Sequence, residues 1–524
     1  MASLISSLTS SLSSLNPVPS FGKRVFLGLL ESLRIGTLTV VLEYDGNATF
    51  EFGARSPFAP PKPDDASVYM DLTATLRVLD EGLWARLVVG GDMGFAEAYM
   101  AGEVEADDMA AFLLIMAKNK PYLSDPASFT SWAMTQFDYL SHSRLANTVK
   151  TALSNISAHY DLSNDMFAAF LDPRMQYSCA LWDWNNLRSD SLEDAQLRKI
   201  STVVAKAQLN PNSKLLEIGS GWGGLAVEAV RQSGGCNVVT ITLSVEQKVL
   251  AEARVRRAEN EGYIPKGRVQ VLLCDYRNLP DRFPAGHFDA IVSVEMIEAV
   301  GREFLTEYFR ICHTMMHPTH GIMVLQAITM PEARAASYAK SCDFIQKYIF
   351  PGGFLPSISQ IASAVETASE GQLTITHAKS YAPHYARTLQ AWRARFVKAY
   401  PTVKRAAVAG GGTDSDEGED SGHEEAPVAP NVTAASSASG GVFQASDKAY
   451  TSVAEIEGVK RRTEIGTDQF FRKFLYYFDY CTAGFAARVI DLYQIVLTRE
   501  GCEAFLDGPY AEGSLAFVPA DVDA

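Results

Sequence analysis

The run KLLEIGSGWGG at 214–224 constrains this 524-residue chain more than any other stretch. A short apolar segment runs into Gly219, Gly221 and Gly224, and a helical pattern follows at once. Glycines at that spacing let a chain leave a strand, turn tightly and enter a helix whose first N–H groups face a ligand. The next hundred residues keep the same rhythm. CNVVTITL, RVQVLLCD, FDAIVSVE and GIMVLQAIT read as strands, with SVEQKVLAEARVRRAENEG and FLTEYFRICHTMMHP as helices among them. Such alternation predicts an α/β fold, a Rossmann-like, mainly parallel and doubly wound sheet that binds ligands at the carboxyl ends of its strands.

By its glycines alone, the loop suits a nicotinamide dinucleotide as well. Two side chains point elsewhere. Glu217, two residues before the first glycine, would repel a pyrophosphate but suits the cationic amino group of S-adenosylmethionine. The next strand ends in Thr242, where an NAD site would place an acid for the ribose. Asp275 and Tyr276, at the end of the third strand, are placed to meet an adenine edge and face, although Asp275 equally suits a cap for the turn that follows.

Charge divides the rest of the chain. The formal net charge of -15 argues against a nucleic-acid partner. Seven carboxylates fall between Asp414 and Glu425 without a Lys or Arg, so the remainder is only mildly acidic. Together with GGG and NVTAASSASGG they make 403–460 an expected disordered acidic insertion. Residues 1–20, rich in Ser and Leu and without charge, lack the basic start of a signal peptide and read as a disordered tail. Residues 21–135 read as a small α+β domain, with a hairpin turn at Asp45-Gly46. Residues 136–402 and 461–510 then form the catalytic domain, which includes an aromatic-rich helical cover at 141–182. The scattered cysteines show no metal-ligand spacing, which implies a reducing compartment and no structural zinc. No apolar run approaches the ~20 residues that span a bilayer. A cytoplasmic protein follows, with PSFGKRVFLGLLESLRIG as a candidate interfacial helix for peripheral membrane contact.

Eight stretches together resemble the cyclopropane-fatty-acid-phospholipid synthases, including the mycolic acid cyclopropane synthases. They are HYDLSNDMFAAFLDPRMQYSCALW, LLEIGSGWGG, ITLSVEQ, CDYRNLP, FDAIVSVEMIEAVG, DFIQKYIFPGGFLPS, HYARTLQAWRARF and YCTAGFAARVIDLYQIVLTRE. They cover roughly residues 159–500 apart from the insertion, in the order the family shows. The amino-terminal part agrees less closely, through LRIGTLTV and GGDMGFAEAYMAGEVEADDMAAFL. In the long members that domain is linked to homodimer assembly and membrane access.

The resemblance implies a site. Tyr177 and Ser178 would contact the methyl donor beside Gly219, Ser220 and Gly221, Thr242 and Gln247 would reach its ribose region, and Asp275 and Tyr276 would hold its adenine. A bicarbonate ion would lie near the transferred methyl, held by Cys179, Glu298, Ile328 and Tyr385. Two positions depart from the pattern: Ala299 replaces the histidine of E-H-V-G, and Gln326 stands where some bacterial members have a bicarbonate-contacting histidine. The implied reaction moves a methyl group from S-adenosylmethionine to the double bond of an unsaturated phospholipid acyl chain, and proton loss then closes a cyclopropane. Tyr177, Phe344, Tyr348 and Phe350 are candidates to stabilise the intermediate cation, and DFIQKYIFPGGFLPS a candidate wall of the acyl tunnel. Alternatives within the same chemistry are a methyl-branched or methylene product, a sphingoid base, or an amine acceptor. A non-catalytic lipid-binding protein is the alternative from another class.

Overall fold

In the computed structural model, residues 17–53, 71–123, 164–409 and 465–502 are described. Most of the expected tail, most of the acidic insertion and the first part of the aromatic cover, 141–163, lie outside them.

The strands divide into two sheets according to what each face must bury. In the amino-terminal part, β1 (Thr37–Leu42), β2 (Ala48–Gly53), β3 (Thr73–Val78) and β4 (Val104–Ala106) form a sheet of order β2-β1-β3-β4. The expected hairpin is present: β1 and β2 pair antiparallel from Leu42↔Ala48, and Gly46 (φ 63°) and Asn47 (φ 61°) turn the chain through the left-handed region. The helix Pro17–Leu30 begins ahead of the expected boundary at 21 and lies on the helix Gly82–Ala101, with the Phe26 and Trp84 rings 5.8 Å apart. Phe21 and Val25 remain more than half exposed on its outer face.

The second sheet has seven strands in the order β10-β11-β9-β8-β5-β6-β7. β5 (Lys214–Ile218), β6 (Asn237–Thr242), β7 (Val269–Leu273), β8 (Ala290–Val294) and β9 (Ile322–Thr329) run parallel. β5, β8 and β9 are buried along almost their whole length because helices cover both faces. The edge strand β10 (Leu373–Ser380) instead buries only Leu373 and otherwise mixes exposed and partly exposed positions. β11 (Asp491–Arg499), the last described strand, inserts antiparallel between β9 and β10 and sets Gln494 opposite Gln326. The order turns at β5, whose neighbours are β6 and β8, so the crevice of the doubly wound fold opens above its carboxyl end.

The helix Asp468–Ala486 joins the two parts. It packs along Ala382–Ala409 and against the helices Gly82–Ala101 and Met109–Leu123 of the amino-terminal part. Arg472 pairs with Glu105 at 2.6 Å, while Lys347 and Tyr348 both donate to Glu97 at 2.7 Å. The helix Ala382–Ala409 continues seven residues past the expected start of the insertion. Its last turns, KRAAVA, consist of good helix formers. Tyr400 Oη donates to Ile465 O and Thr467 O at 2.8 Å each, and Lys404 pairs with Asp468, so this helix meets the chain where description resumes.

Candidate active site

A cavity of about 1130 Å³, its open mouth included, lies above the carboxyl ends of β5, β6, β7 and β8. Its floor is the glycine loop. Gly219 (φ 96°) and Gly221 (φ 48°) take conformations that side-chain-bearing residues disfavour. A Cβ on Gly224 would sit 2.5 Å from Arg174 O, so here glycine permits the closest approach of helix and loop. Glu217 borders the cavity and accepts from Thr240 Oγ at 2.6 Å. Burial pushes its carboxyl up to about 8, against the Thr240 hydrogen bond and the attraction of Lys199. A bound cationic amino group would return that carboxyl to its charged form. Thr242 and Gln247 come together as expected: Thr242 Oγ donates to Gln247 Oε1 at 2.8 Å, and Ser244 caps the helix Val245–Asn260 beside them. Tyr177, Ser178, Ser220, Asp275 and Tyr276 also line the cavity.

Deeper in, two glutamates follow the end of β8. Glu295 Oε1 accepts from the Cys179 backbone N–H at 2.9 Å and from Gln326 Nε2 at 2.7 Å, and its Oε2 accepts from Tyr385 Oη at 2.6 Å. Glu298 Oε1 accepts from the Ile328 N–H at 2.6 Å, while its Oε2 is buried without a hydrogen-bond partner. Burial raises the carboxyl pKa of Glu295, and the donors from Tyr385, Cys179 and Gln326 draw it back. Glu298 is pushed up to about 8, by burial first and then by repulsion from Glu295. Three donors meet Glu295 and one side-chain oxygen of Glu298 meets a single N–H, so hydrogen bonding favours the charge on Glu295 over Glu298.

The structure bears on four expectations, and two of them it corrects. The Asp275 carboxylate caps the turn Tyr276–Asn278 and is forked by the Arg277 guanidinium at 3.0 and 2.8 Å, the capping role that the sequence left open beside an adenine contact. Phe344 packs on Tyr476 in the core, and Tyr348 reaches Glu97 in the amino-terminal part; neither stands with Tyr177 and Phe350, whose ring centroids are 6.2 Å apart. The Cys179 thiol is buried, and burial raises its pKa well above the usual range, so the group that Cys179 presents to the site is its backbone N–H. Lastly, the donors of Cys179, Ile328 and Tyr385 are all turned to protein carboxylates, as is Gln326. These residues do not fit a resident bicarbonate.

Glu295 itself went unread in the sequence, although VEMIE carries two carboxylates three residues apart at a strand end. Lys199 was missed as well. Buried under the site, it donates to Gln176 Oε1 at 2.6 Å and to Ser178 Oγ at 2.8 Å, which fixes the segment before Cys179. Burial brings its pKa down to about 8. No periodicity marks a lysine on a helix as buried, so only its contacts reveal it.

The sequence profile of mycolic acid cyclopropane synthetase matches residues 147–409. The tuberculostearic acid methyltransferase UfaA1 of Mycobacterium tuberculosis is 38% identical over 363 residues, which is 68% of this chain and 76% of that protein. This chain belongs to the mycolic acid cyclopropane synthetase family. The cyclopropane-fatty-acyl-phospholipid synthase of Escherichia coli is 34% identical over 337 residues, 63% of this chain and 78% of that protein. Among solved structures, the mycolic acid cyclopropane synthase CmaA1 with SAH and CTAB is 27% identical at a TM-score of 0.47, covering 66% of this chain and 97% of that one. This family member is an S-adenosylmethionine-dependent methyltransferase of the lipid-modifying kind.

Proposed function

We propose that the chain transfers a methyl group from S-adenosylmethionine to the double bond of an unsaturated acyl chain in a phospholipid, and that proton loss closes the three-membered ring. The observation that carries this reading is the junction of two environments. The glycine loop and Glu217 line the cavity together with Glu295 and Tyr177, and the rings of Phe350 and Tyr477 pack against Tyr177 behind it. When bound, S-adenosylmethionine supplies an electrophilic sulfonium methyl. The residues that would hold it are Glu217 at the amino group, Gly219, Ser220 and Gly221 at the loop, and Thr242 with Gln247 at the end of β6.

Methyl addition leaves positive charge on the acyl chain, and the residues at the far end suit that charge. Tyr177 Oη lies 3.0 Å from Tyr477 Oη, and Phe350 lies against both rings. Aromatic faces attract a cation most strongly where water is excluded. The segment 343–357 closes over Glu298, with the Phe354 N–H donating to Glu298 O at 2.8 Å. Phe21 and Val25, exposed one turn apart on the first described helix, support contact with a membrane surface, from which a phospholipid chain would enter.

Mass spectrometry of lipids from a bacterial host that expresses the chain is the test. Acyl chains heavier by one CH2 than the host's monoenes are expected. A gain of CH2 plus two hydrogens would mean a methyl branch instead, and hydrogenation of the products would separate a ring from an isomeric methylene group. Unchanged lipids, with the protein present and binding S-adenosylmethionine, would refute the reading.

A further inference from the structure

We propose that Glu295 is the catalytic base of this enzyme, a carboxylate built into the chain where the family resemblance implies a bicarbonate ion, so that the reaction proceeds without bicarbonate. The inference rests on the proposed methylation of an alkene.

The first ground is that the donors are already taken. The Cys179 N–H, Gln326 Nε2 and Tyr385 Oη converge on the two oxygens of Glu295, and the Ile328 N–H is held by Glu298. A free anion would find those donors pointing at other oxygens and would lie against a carboxylate in a site of low polarity, where like charges repel strongly.

The second ground is orientation. Lys206 Nζ donates to Gln494 Oε1 at 2.7 Å, Gln494 Nε2 donates to Gln326 Oε1 at 2.8 Å, and Gln326 Nε2 donates to Glu295. A lysine only donates, so it sets the direction of both amides in turn. At the end of this buried chain, Glu295 meets an N–H and is fixed as the acceptor.

Thirdly, the backbone is bent to place this side chain. Glu295 has φ 51°, a conformation that residues with a Cβ seldom adopt, and its N–H is tied to Gln326 O at 2.7 Å. Glu295 lines the cavity together with Gly219 and Met296, so it would face a methyl donor held by the glycine loop.

The step balances with this one group. After the methyl carbon has bonded to one alkene carbon, the other carries the positive charge. A C–H bond of the added methyl breaks, its proton passes to a Glu295 oxygen, and its electron pair forms the third ring bond. Loss of a proton from a neighbouring chain carbon to the same oxygen gives an alkene instead. A C–H bond beside a carbocation is so acidic that even a carboxylate holding three hydrogen bonds accepts its proton. The resulting carboxylic acid releases that proton to solvent after the product departs.

The experiment compares the full chain with Glu295→Gly and Glu295→Gln, in buffer stripped of carbon dioxide and again with added bicarbonate. Wild-type turnover on vesicles of a monounsaturated phospholipid is expected to change less than twofold. Glu295→Gln should lose at least a hundredfold in both buffers. Glu295→Gly, whose backbone suits its φ and whose donors are left open, should be inactive without bicarbonate and recover at least tenfold with it. A second readout needs no lipid: NMR of 13C-bicarbonate with S-adenosylhomocysteine present should show binding to Glu295→Gly and none to wild type. Bicarbonate binding by wild type, or severalfold stimulation of wild type by bicarbonate, would overturn the inference. Failure of wild type to methylate any alkene while the NMR result holds would instead strike the proposed function alone.

Discussion

Glu217 and Glu298 make the unliganded protein sensitive to pH in a window that ordinary carboxyls leave flat. Each is pushed up to about 8, mainly by burial, whereas in an unfolded chain each titrates near 4.3. Between about pH 4.3 and pH 8 the folded state therefore keeps protons that the unfolded state has lost. The contribution of these two groups to stability is greatest below that window and falls as pH rises through it. Lys199, brought down to about 8, acts in the opposite sense, but only above that pH. Glu298→Gln keeps an acceptor for the Ile328 N–H and removes one of the two titrations. The melting temperature of unliganded Glu298→Gln should thus fall less than that of wild type between pH 5 and pH 8. Equal slopes in a thermal scan would mean that Glu298 is ionised in the folded protein. Saturating S-adenosylmethionine should flatten the wild-type slope as well, because a cation beside Glu217 favours its charged form.

Among the elements, the β5–loop–helix unit is the most exposed to small changes. A methyl group on Gly224 would meet Arg174 O at 2.5 Å and Gln176 Nε2 at 2.8 Å, and the first of these is backbone that does not give way. Gly221 has open space around it, and its requirement is the left-handed φ. Gly224→Ala should therefore push the helix Gly224–Ser233 away from the segment that carries Arg174, Tyr177 and Ser178. A loss of at least tenfold in S-adenosylmethionine affinity by calorimetry is expected, about 1.4 kcal/mol. Binding within twofold of wild type would show that the helix shifts freely. This unit was legible in the sequence because its signals are local: glycine spacing, a strand before it and a helix after it. The parallel strands β5 to β9 were legible for the same reason. The pairing of β11 between β9 and β10 was not, since it joins residues more than 110 positions apart, and more than 160 on the β9 side. That register creates the Gln494–Gln326 hydrogen bond, and with it the orientation at Glu295. Resemblance drew attention to Glu298 and to the donors around it, but the residue on which they converge emerges only when Cys179, Gln326 and Tyr385 meet in space.

At the scale of the whole molecule, the acidic insertion separates two helices that belong together. Tyr400 reaches over to Ile465 and Thr467, and Lys404 pairs with Asp468, so the helix Ala382–Ala409 and the helix Asp468–Ala486 are already joined before the insertion is considered. The second of them carries Tyr477 to the aromatic wall and Phe485 to within 4.4 Å of the Tyr385 ring, and its outer face holds the amino-terminal part through Arg472. Both functions are carried by contacts of this helix with described residues. From Tyr400 to Ala409 a helix rises about 14 Å, and a Gly/Ser linker of about ten residues has a comparable end-to-end distance, roughly 17 Å. Replacing 410–464 by such a linker should leave the melting temperature within a few degrees of wild type and lipid methylation within about twofold. The variant also sheds the seven clustered carboxylates between Asp414 and Glu425. Its binding to vesicles of anionic lipid should rise as the repulsion is removed, most clearly at low salt, where screening is weak. If methylation in detergent micelles were retained while turnover on vesicles collapsed, the insertion would be a membrane-engaging element. If both collapsed, the junction of the two helices would depend on it.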